Sequence, residues 1–555
     1  MKDFFRKHHR LLFYGSWLLL GFIQAYCTQL DDDEAYYWVY SKFLAWGYFD
    51  HPPMIALMIK AGYFFFKNEL GVRLFSVLLS AGSIYVIEKI IRPKVVLLFY
   101  AVVLSVGVFQ ISGIMAAPDI PLIFFTAVFF YCYKKFISQQ SLYTSLLLGI
   151  ACALMLYSKY HGVLVMFFTF LSNLKLLRRY HIYLAGSIAL LCFLPHLWWQ
   201  YQHNWPSIQY HLFERNADNY KFSFTIEYLF GQILLAGPIA GFILLPACLK
   251  YKPMNETEKA LRFSMFGVYI FFLLSTLKGR VEANWTAVVI IPLIVLSYLF
   301  LVERPKWSFV LLKTLPFTLL LVLFARVALV IDILPVPELQ KRFHGWKDWP
   351  QKMKEKTNGL PVVFYGSYQR ASKYWFYTGQ MSYSLNGYLG RRNNYDYWPI
   401  EDSLLGKPVF VMDTHRLDEF PDSIKTPIGW IGYRLDPFFY SFTKIKIIVS
   451  PKKILAKENK EFSLHCRFEI PDDYSRFIRS QAGLNANIRI AVFNKAGWLK
   501  DIFISFSIKD MIEKKEMDIK VNPGLSKGNY SILFSIQAKN DLPTHNSERI
   551  SLVTE

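Results

Sequence analysis

The sequence predicts a polytopic α-helical membrane protein followed by a water-soluble tail. Three observations carry that expectation. Long apolar runs recur from the N-terminus to about Asp332. Lys and Arg gather in alternate loops between the runs. From about Leu334 onward the composition is that of a soluble protein.

A bilayer core needs roughly 20 apolar residues in a helix. Candidate spans fall near 11–29, 71–90, 94–113, 120–137, 142–157, 161–177, 182–200, 224–249, 261–277, 285–301 and 308–332, which makes about eleven or more crossings. The opening MKDFFRKHHRLLFYGSWLLLGF has the basic and then apolar character of a signal peptide. No small-x-small cleavage site follows, and Tyr26 before Cys27 argues against lipoprotein processing, so it reads as an uncleaved first span.

The loops test the count. With the N-terminal KDFFRKHHR cytoplasmic, the cytoplasmic loops are EKIIRPK, YKKFISQQ, KLLRRYH, LKYKPMNETEK and VERPK, each carrying Lys or Arg. The opposite side receives DDDE near 31–34, AAPD near 116–119, SKYHG near 158–162, the stretch 200–223 and GRVEANW near 279–285. The tail then lies on the outer side. A formal net charge of +21 raises nucleic acid as a partner, but no zinc-finger or aromatic RNA-binding motif accompanies it. The membrane bias of the loops accounts for the excess, and no nucleic-acid partner is expected.

Between the first two spans, AYYWVYSKFLAW and MIALMIKAGYFFF are too short to cross and read as interfacial helices. The domain reading is 1–333 for the membrane part, 334–445 for a small outer α/β region, and 446–555 for a β-sandwich-like domain. PVVFYG and KPVFVMD are strands of the α/β region. KIKIIVS, EFSLHCRFEI, IRIAVFN, IFISFSI, MDIKVN and YSILFSIQA are the short strands of the sandwich. Five of the six cysteines sit in or beside apolar segments and Cys466 has no partner in the tail, so no disulfide framework follows.

The acids gather in the outer loops: Asp31 to Glu34, then Asp50 and His51 before Pro52-Pro53, then Asp119 in AAPDIPL. Lys159 and His161 lie in SKYHG, and Lys278, Arg280 and Glu282 in LKGRVEANW. Each alone reads equally as a solvated or snorkelling loop residue. Together they bring acids, bases and aromatics to one surface. Glycosyl transfer to a hydroxyl would use such a set, with a carboxylate to take the proton and cations to hold a leaving phosphate. Tyr36 and Tyr37 in AYYW suit a sugar ring, and suit an interfacial belt equally.

DDDEAYYWVYSKFLAWGYFDHPPM resembles the first outer loop of C-type glycosyltransferases, in the branch that holds protein O-mannosyltransferases and the lipid A aminoarabinose transferase. APDIPLIFF, SKYHGVLV, HNWPSIQYH and RVEANW are similar to other loops of bacterial members, and the tail stretch YQRASKYWFYTGQ carries a further trace. The resemblance implies a polyprenyl-phosphate sugar as donor, a hydroxyl or phosphate acceptor on a protein, lipid or glycan, an inverting transfer and a bacterial inner membrane with the tail periplasmic. It implies Asp33 as catalytic base with Glu34 beside it, and Asp119 as the second-loop acid. It makes Lys159, His161 and Arg280 candidates for the lipid phosphate, with Glu282 and Asn284 lining the cavity and Tyr160, Asp50 and His51 at the substrate. Relatives in the aminoarabinose branch carry Glu-Lys before Pro-Pro where this chain has Asp50-His51, a weaker phosphate anchor at neutral pH. No cofactor is certain. The converging acids leave a divalent metal open, though no ligand spacing demands one. The competing readings are a polytopic transporter or lipid-carrier flippase with a periplasmic binding domain, and a receptor. Transporters often show internal repeats and mid-membrane charges, and neither is found here.

Overall fold

The computed structural model describes residues 2–211, 220–481 and 483–555. Residues 212–219 of the expected outer stretch 200–223 lie outside the described residues. The chain divides into two compact units, Met1–Lys347 and Asp348–Glu555.

The first unit is helical. Its elements are α1 (Lys2–Cys27), α2 (Asp32–Lys42), α3 (Met54–Phe65), α4 (Glu69–Ile91), α5 (Val96–Ser105), α6 (Gly107–Ser112), α7 (Asp119–Ser138), α8 (Leu142–Ser158) and α9 (Gly162–Leu171). There follow α10 (Tyr180–Gln202), α11 (Pro206–Gln209), α12 (Phe222–Ala236), α13 (Gly241–Lys250), α14 (Glu256–Ser275), α15 (Ile290–Val302), α16 (Pro305–Val330) and α17 (Pro337–Phe343). Helix starts follow the polar residues that satisfy the first free amides. Asp31 and Glu34 form a capping box at α2, and the Asn68, Ser141 and Asn255 side chains cap α4, α8 and α14. An extensive apolar core runs through α4, α5, α7, α8, α13, α14 and α15.

Every expected span coincides with helix, but several are broken or short. Among the described residues, five helices are long and apolar enough to cross a membrane alone, or up to seven if each sharply bent pair is one span. The expected span 94–113 divides at Val106 into α5 and α6, and 161–177 gives α9 followed by a 3-10 turn. The expected span 224–249 forms as two helices, α12 and α13, which meet at 94°. The cause is Gly237, at φ +119°, where a Cβ would stand 2.5 Å from the Ser105 carbonyl oxygen. The two first-loop helices form as expected, with α2 at 88° to α1. Instead of lying half-exposed at an interface, α2 is buried from Glu34 to Ser41.

The second unit carries three sheets. The first has strand order β2-β1-β3-β5-β4, built from β1 (Val362–Tyr365), β2 (Ser382–Leu385), β3 (Val409–Asp413), β4 (Asp422–Thr426) and β5 (Gly429–Asp436). β1 lies parallel to both β2 and β3, whereas β5 runs antiparallel to β3 and β4. The other two sheets face each other across one apolar core. One joins β11 (Glu516–Val521), β8 (Phe462–Glu469) and β6 (Lys446–Ser450). The other has the order β10-β9-β12-β13-β7, with β7 (Lys453–Ala456), β9 (Ala486–Asn494), β10 (Gly497–Ile504), β12 (Gly528–Ala538) and β13 (Ile550–Thr554). All six sandwich strands expected from sequence form. The parallel pair β7 and β13 was not foreseen, being four and five residues long.

Candidate functional site

The first outer loop is pinned by a buried ion pair. Arg73, on α4, is fully buried, and its five donor N–H groups are all used. Nε and Nη2 donate to the Glu34 carboxylate at 2.7 and 2.5 Å. Nη1 and Nη2 also donate to the carbonyls of Ala25, Thr28 and Gln29 at the end of α1. Glu34 accepts two further bonds, from the amides of Asp31 (2.9 Å) and Ala116 (2.7 Å). One carboxylate thus ties the first acidic loop to the second, three residues before Asp119. Sequence reasoning paired Glu34 with Asp33 as a reacting acid, and the structure places it in a closed scaffold. Arg73 was missed, since one Arg near the start of an apolar run reads as a loop-edge charge.

Asp33 follows in the first turn of α2, half-buried, where the helix N-terminus favours a carboxylate. Asp31, the residue that caps the helix, is held up at about 7 by burial and then by the neighbouring Asp33, against the pull of Arg342. Arg342 reaches its Oδ2 at 3.3 Å. A second acid therefore stands beside Asp33 on a scale that matters near neutral pH.

The second acidic loop opens α7 with Asp119, which is buried. Its Oδ1 accepts from the Lys159 ammonium at 2.8 Å and its Oδ2 from the Asn284 amide at 3.2 Å. Three residues singled out separately from three loops are thus joined. Lys159 is also buried, and Asp119 offsets the cost of burying its charge.

A second network locks the loops together around Tyr160. Its hydroxyl meets His196 Nε2 at 2.9 Å, while His196 Nδ1 lies 2.7 Å from the Trp46 carbonyl. The carbonyl can only accept, so Nδ1 carries the proton and Nε2 accepts from Tyr160. Gln200 donates to Tyr160 and to Ser207, and Ser207 donates to the Tyr48 carbonyl. Burial raises Tyr160 above the usual phenol range, which keeps it a neutral donor. His211 sits 3.0 Å from the Asp50 carbonyl and edge-on to Tyr160. His196, Gln200 and Ser207 were not foreseen as site-forming; for His196 and Gln200 the polar side chains within the C-terminal turns of α10 were the available signal, and Ser207 follows in α11.

The remaining candidates divide. Asp50 is buried and accepts from the Tyr40 hydroxyl at 3.3 Å, and His51 packs edge-on against Tyr37 at 5.6 Å. Tyr36 and Tyr37 are buried against Tyr40. His161 packs against both Phe272 and Trp285. Arg280 is exposed and faces Glu227 at 3.4 Å and Glu282 at 3.9 Å. Among the described residues no group of three or more His, Cys, Asp or Glu side chains could hold a metal ion, and the Asp119 carboxylate already carries the Lys159 ammonium.

Hydrogen bonds thus join five loops at one end of the helices: the first through Glu34, Trp46, Tyr48 and Asp50, the second through Ala116 and Asp119, the third through Lys159 and Tyr160, the fourth through Ser207 and His211, and the last through Asn284.

Residues 50–199 match the family described as dolichyl-phosphate-mannose-protein mannosyltransferase. The matched stretch contains Asp50, Asp119, Lys159 and His196. A curated relative, the lipid A galacturonosyltransferase RgtD of Rhizobium johnstonii, is 24% identical over 297 residues, 49% of this chain and 61% of that protein's length. The chain thus matches less than two thirds of that relative. Two solved structures share the fold. ArnT from Cupriavidus metallidurans in the apo state aligns with a TM-score of 0.58 at 12% identity, covering 77% of this chain and 98% of that one. ArnT bound to undecaprenyl phosphate aligns with a TM-score of 0.57 at 13% identity, covering 76% and 97%. The chain thus shares the fold of these ArnT structures.

Proposed function

We propose that this protein is a membrane glycosyltransferase that moves a sugar from a polyprenyl-phosphate donor to a lipid acceptor of the lipid A type, at the outer face of a bacterial inner membrane. The observation that carries the reading is the joining of Asp119, Lys159 and Asn284 beside the loop of Asp33. The likeness to RgtD favours a lipid acceptor over a protein or glycan, and the undecaprenyl-phosphate complex of ArnT favours the carrier.

In this reading the carrier phosphate meets the Lys159 ammonium. Asp119 takes one of the three N–H groups of Lys159, and the others serve the phosphate. Arg280, on a flanking outer loop, adds positive charge from the exposed side. Asp33 takes the proton of the acceptor hydroxyl. That oxygen bonds to the anomeric carbon as the bond from this carbon to the phosphate oxygen breaks, and polyprenyl phosphate leaves with the electron pair. Attack opposite the leaving group inverts the anomeric centre.

The test is release of free polyprenyl phosphate by purified full-length protein from a panel of polyprenyl-phosphate sugars, with lipid A as acceptor. Wild type should release it from one donor, and Asp33→Asn should lose about 10²–10⁴-fold in turnover, the range of a general base, while remaining folded. A folded wild-type protein inactive with every donor would remove the transferase reading, and an active Asp33→Asn would remove the base.

A further inference from the structure

The basic ends of the helices form a half-open cavity of about 640 Å³, lined by Arg10, Tyr85, Glu88, Lys89, Arg92 and Tyr131 among others. It is remote from the acidic loops. On α4, Lys89 lies sixteen residues beyond Arg73, and on α7, Tyr131 lies twelve beyond Asp119. At 1.5 Å per residue these separations are about 24 and 18 Å along the helix axes. The volume is that of a small-ligand pocket.

The charge in this cavity is unbalanced. Glu88 is buried and committed: its Oε1 accepts from Arg10 Nε at 2.8 Å and its Oε2 from the Tyr14 hydroxyl at 2.8 Å. Among the described residues no carboxylate pairs with Lys89 or Arg92. The Lys89 ammonium rests 4.8 Å above the Tyr85 ring. Lys134 donates to the Ile90 carbonyl at 2.6 Å, which brings a third cation to this end of α4. Arg92 ends α4 in the left-handed region, φ 52°, where glycine is the usual occupant. Loop charge bias explains why cations are at this end. It does not explain a cavity whose one lining acid is already neutralised.

The cavity also borders surface suited to hydrocarbon. Tyr85 is 47% exposed and Leu97, beside the lining residue Val96, is 74% exposed. We propose that this cavity binds the phosphate-bearing headgroup of an anionic membrane lipid, held by Lys89 and Arg92 while the acyl chains lie along the apolar faces of the neighbouring helices. Such a lipid would brace α1, α4 and α7 at the end opposite the acidic loops.

Purified full-length protein in neutral detergent would be titrated with dioleoylphosphatidylglycerol, dioleoylphosphatidylcholine or inorganic phosphate. Retained lipid would be read by native mass spectrometry and the unfolding midpoint by thermal scan. Phosphatidylglycerol should be retained selectively and raise the midpoint. Lys89→Gln/Arg92→Gln should bind it roughly tenfold more weakly or worse, at about 1 kcal/mol per surface cation. Lys89→Arg/Arg92→Lys and the tail variant Lys452→Gln should bind as wild type. If the double Gln variant fails to fold, the two single Gln variants carry the comparison. Equal retention of the two lipids, undiminished binding by the Gln variants, or equal protection by inorganic phosphate would each overturn the lipid site.

Discussion

Among the described residues of the helical unit, two carboxylate–cation pairs are buried on both sides, and they are built to different ends. Glu34 and Arg73 form a closed pair, in which every guanidinium N–H has a partner and both carboxylate oxygens accept two bonds. Asp119 and Lys159 form an open one. The ammonium spends one donor on Asp119, and the third member, Asn284, is exposed. A saturated pair has nothing left to offer a ligand and serves the fold. An unsaturated pair at the base of converging loops can accept a phosphate.

Removing one partner from the closed pair should have the largest effect on folding. Arg73→Ala leaves Glu34 buried without its counter-charge, which costs about 3–5 kcal/mol. The expected outcome is loss of the monodisperse, folded species in detergent-solubilised size-exclusion profiles. Folded, active Arg73→Ala protein would erase the distinction between the pairs.

The open pair should respond in turnover before stability. Lys159→Gln keeps a donor for Asp119 and loses the charge that the proposed function sets against the leaving group. Turnover should fall about 10²–10³-fold, the scale of losing one stabilising donor, with a smaller change in unfolding temperature than Arg73→Ala causes. Equal losses of stability in the two variants would show that Lys159 is scaffold as well.

The smallest effect sharpens the boundary between scaffold and site. Asp31 is held at about 7, above its ordinary value near 3.8, by burial and Asp33. The folded state then binds a proton more tightly than the unfolded chain. Its stability contribution is full below pH about 4 and is lost as pH rises to about 7. Asp31→Asn should flatten that part of the stability-against-pH curve. An unchanged slope would place the titration elsewhere.

The site was legible where chemistry follows chain position. DDDE, AAPD, SKYHG and ANW could be read as same-side loops because each follows a basic loop and an apolar run. Their joining through Asp119, Lys159 and Asn284 fits that reading. What the pattern missed are partners whose roles depend on neighbours far along the chain: Arg73, 39 residues from Glu34, and His196, 36 from Tyr160. The bend at Gly237 was equally hidden, because it depends on the Ser105 carbonyl.

By itself the sequence determined the apolar helical unit, the gathering of the acidic loops at one end of its helices, and the strand-rich tail. Apolar length, charge bias and strand alternation are properties of consecutive residues. Tertiary structure decided which acid is sealed and which is open, because hydrogen-bond saturation depends on groups that only folding brings within 3 Å or so of each other.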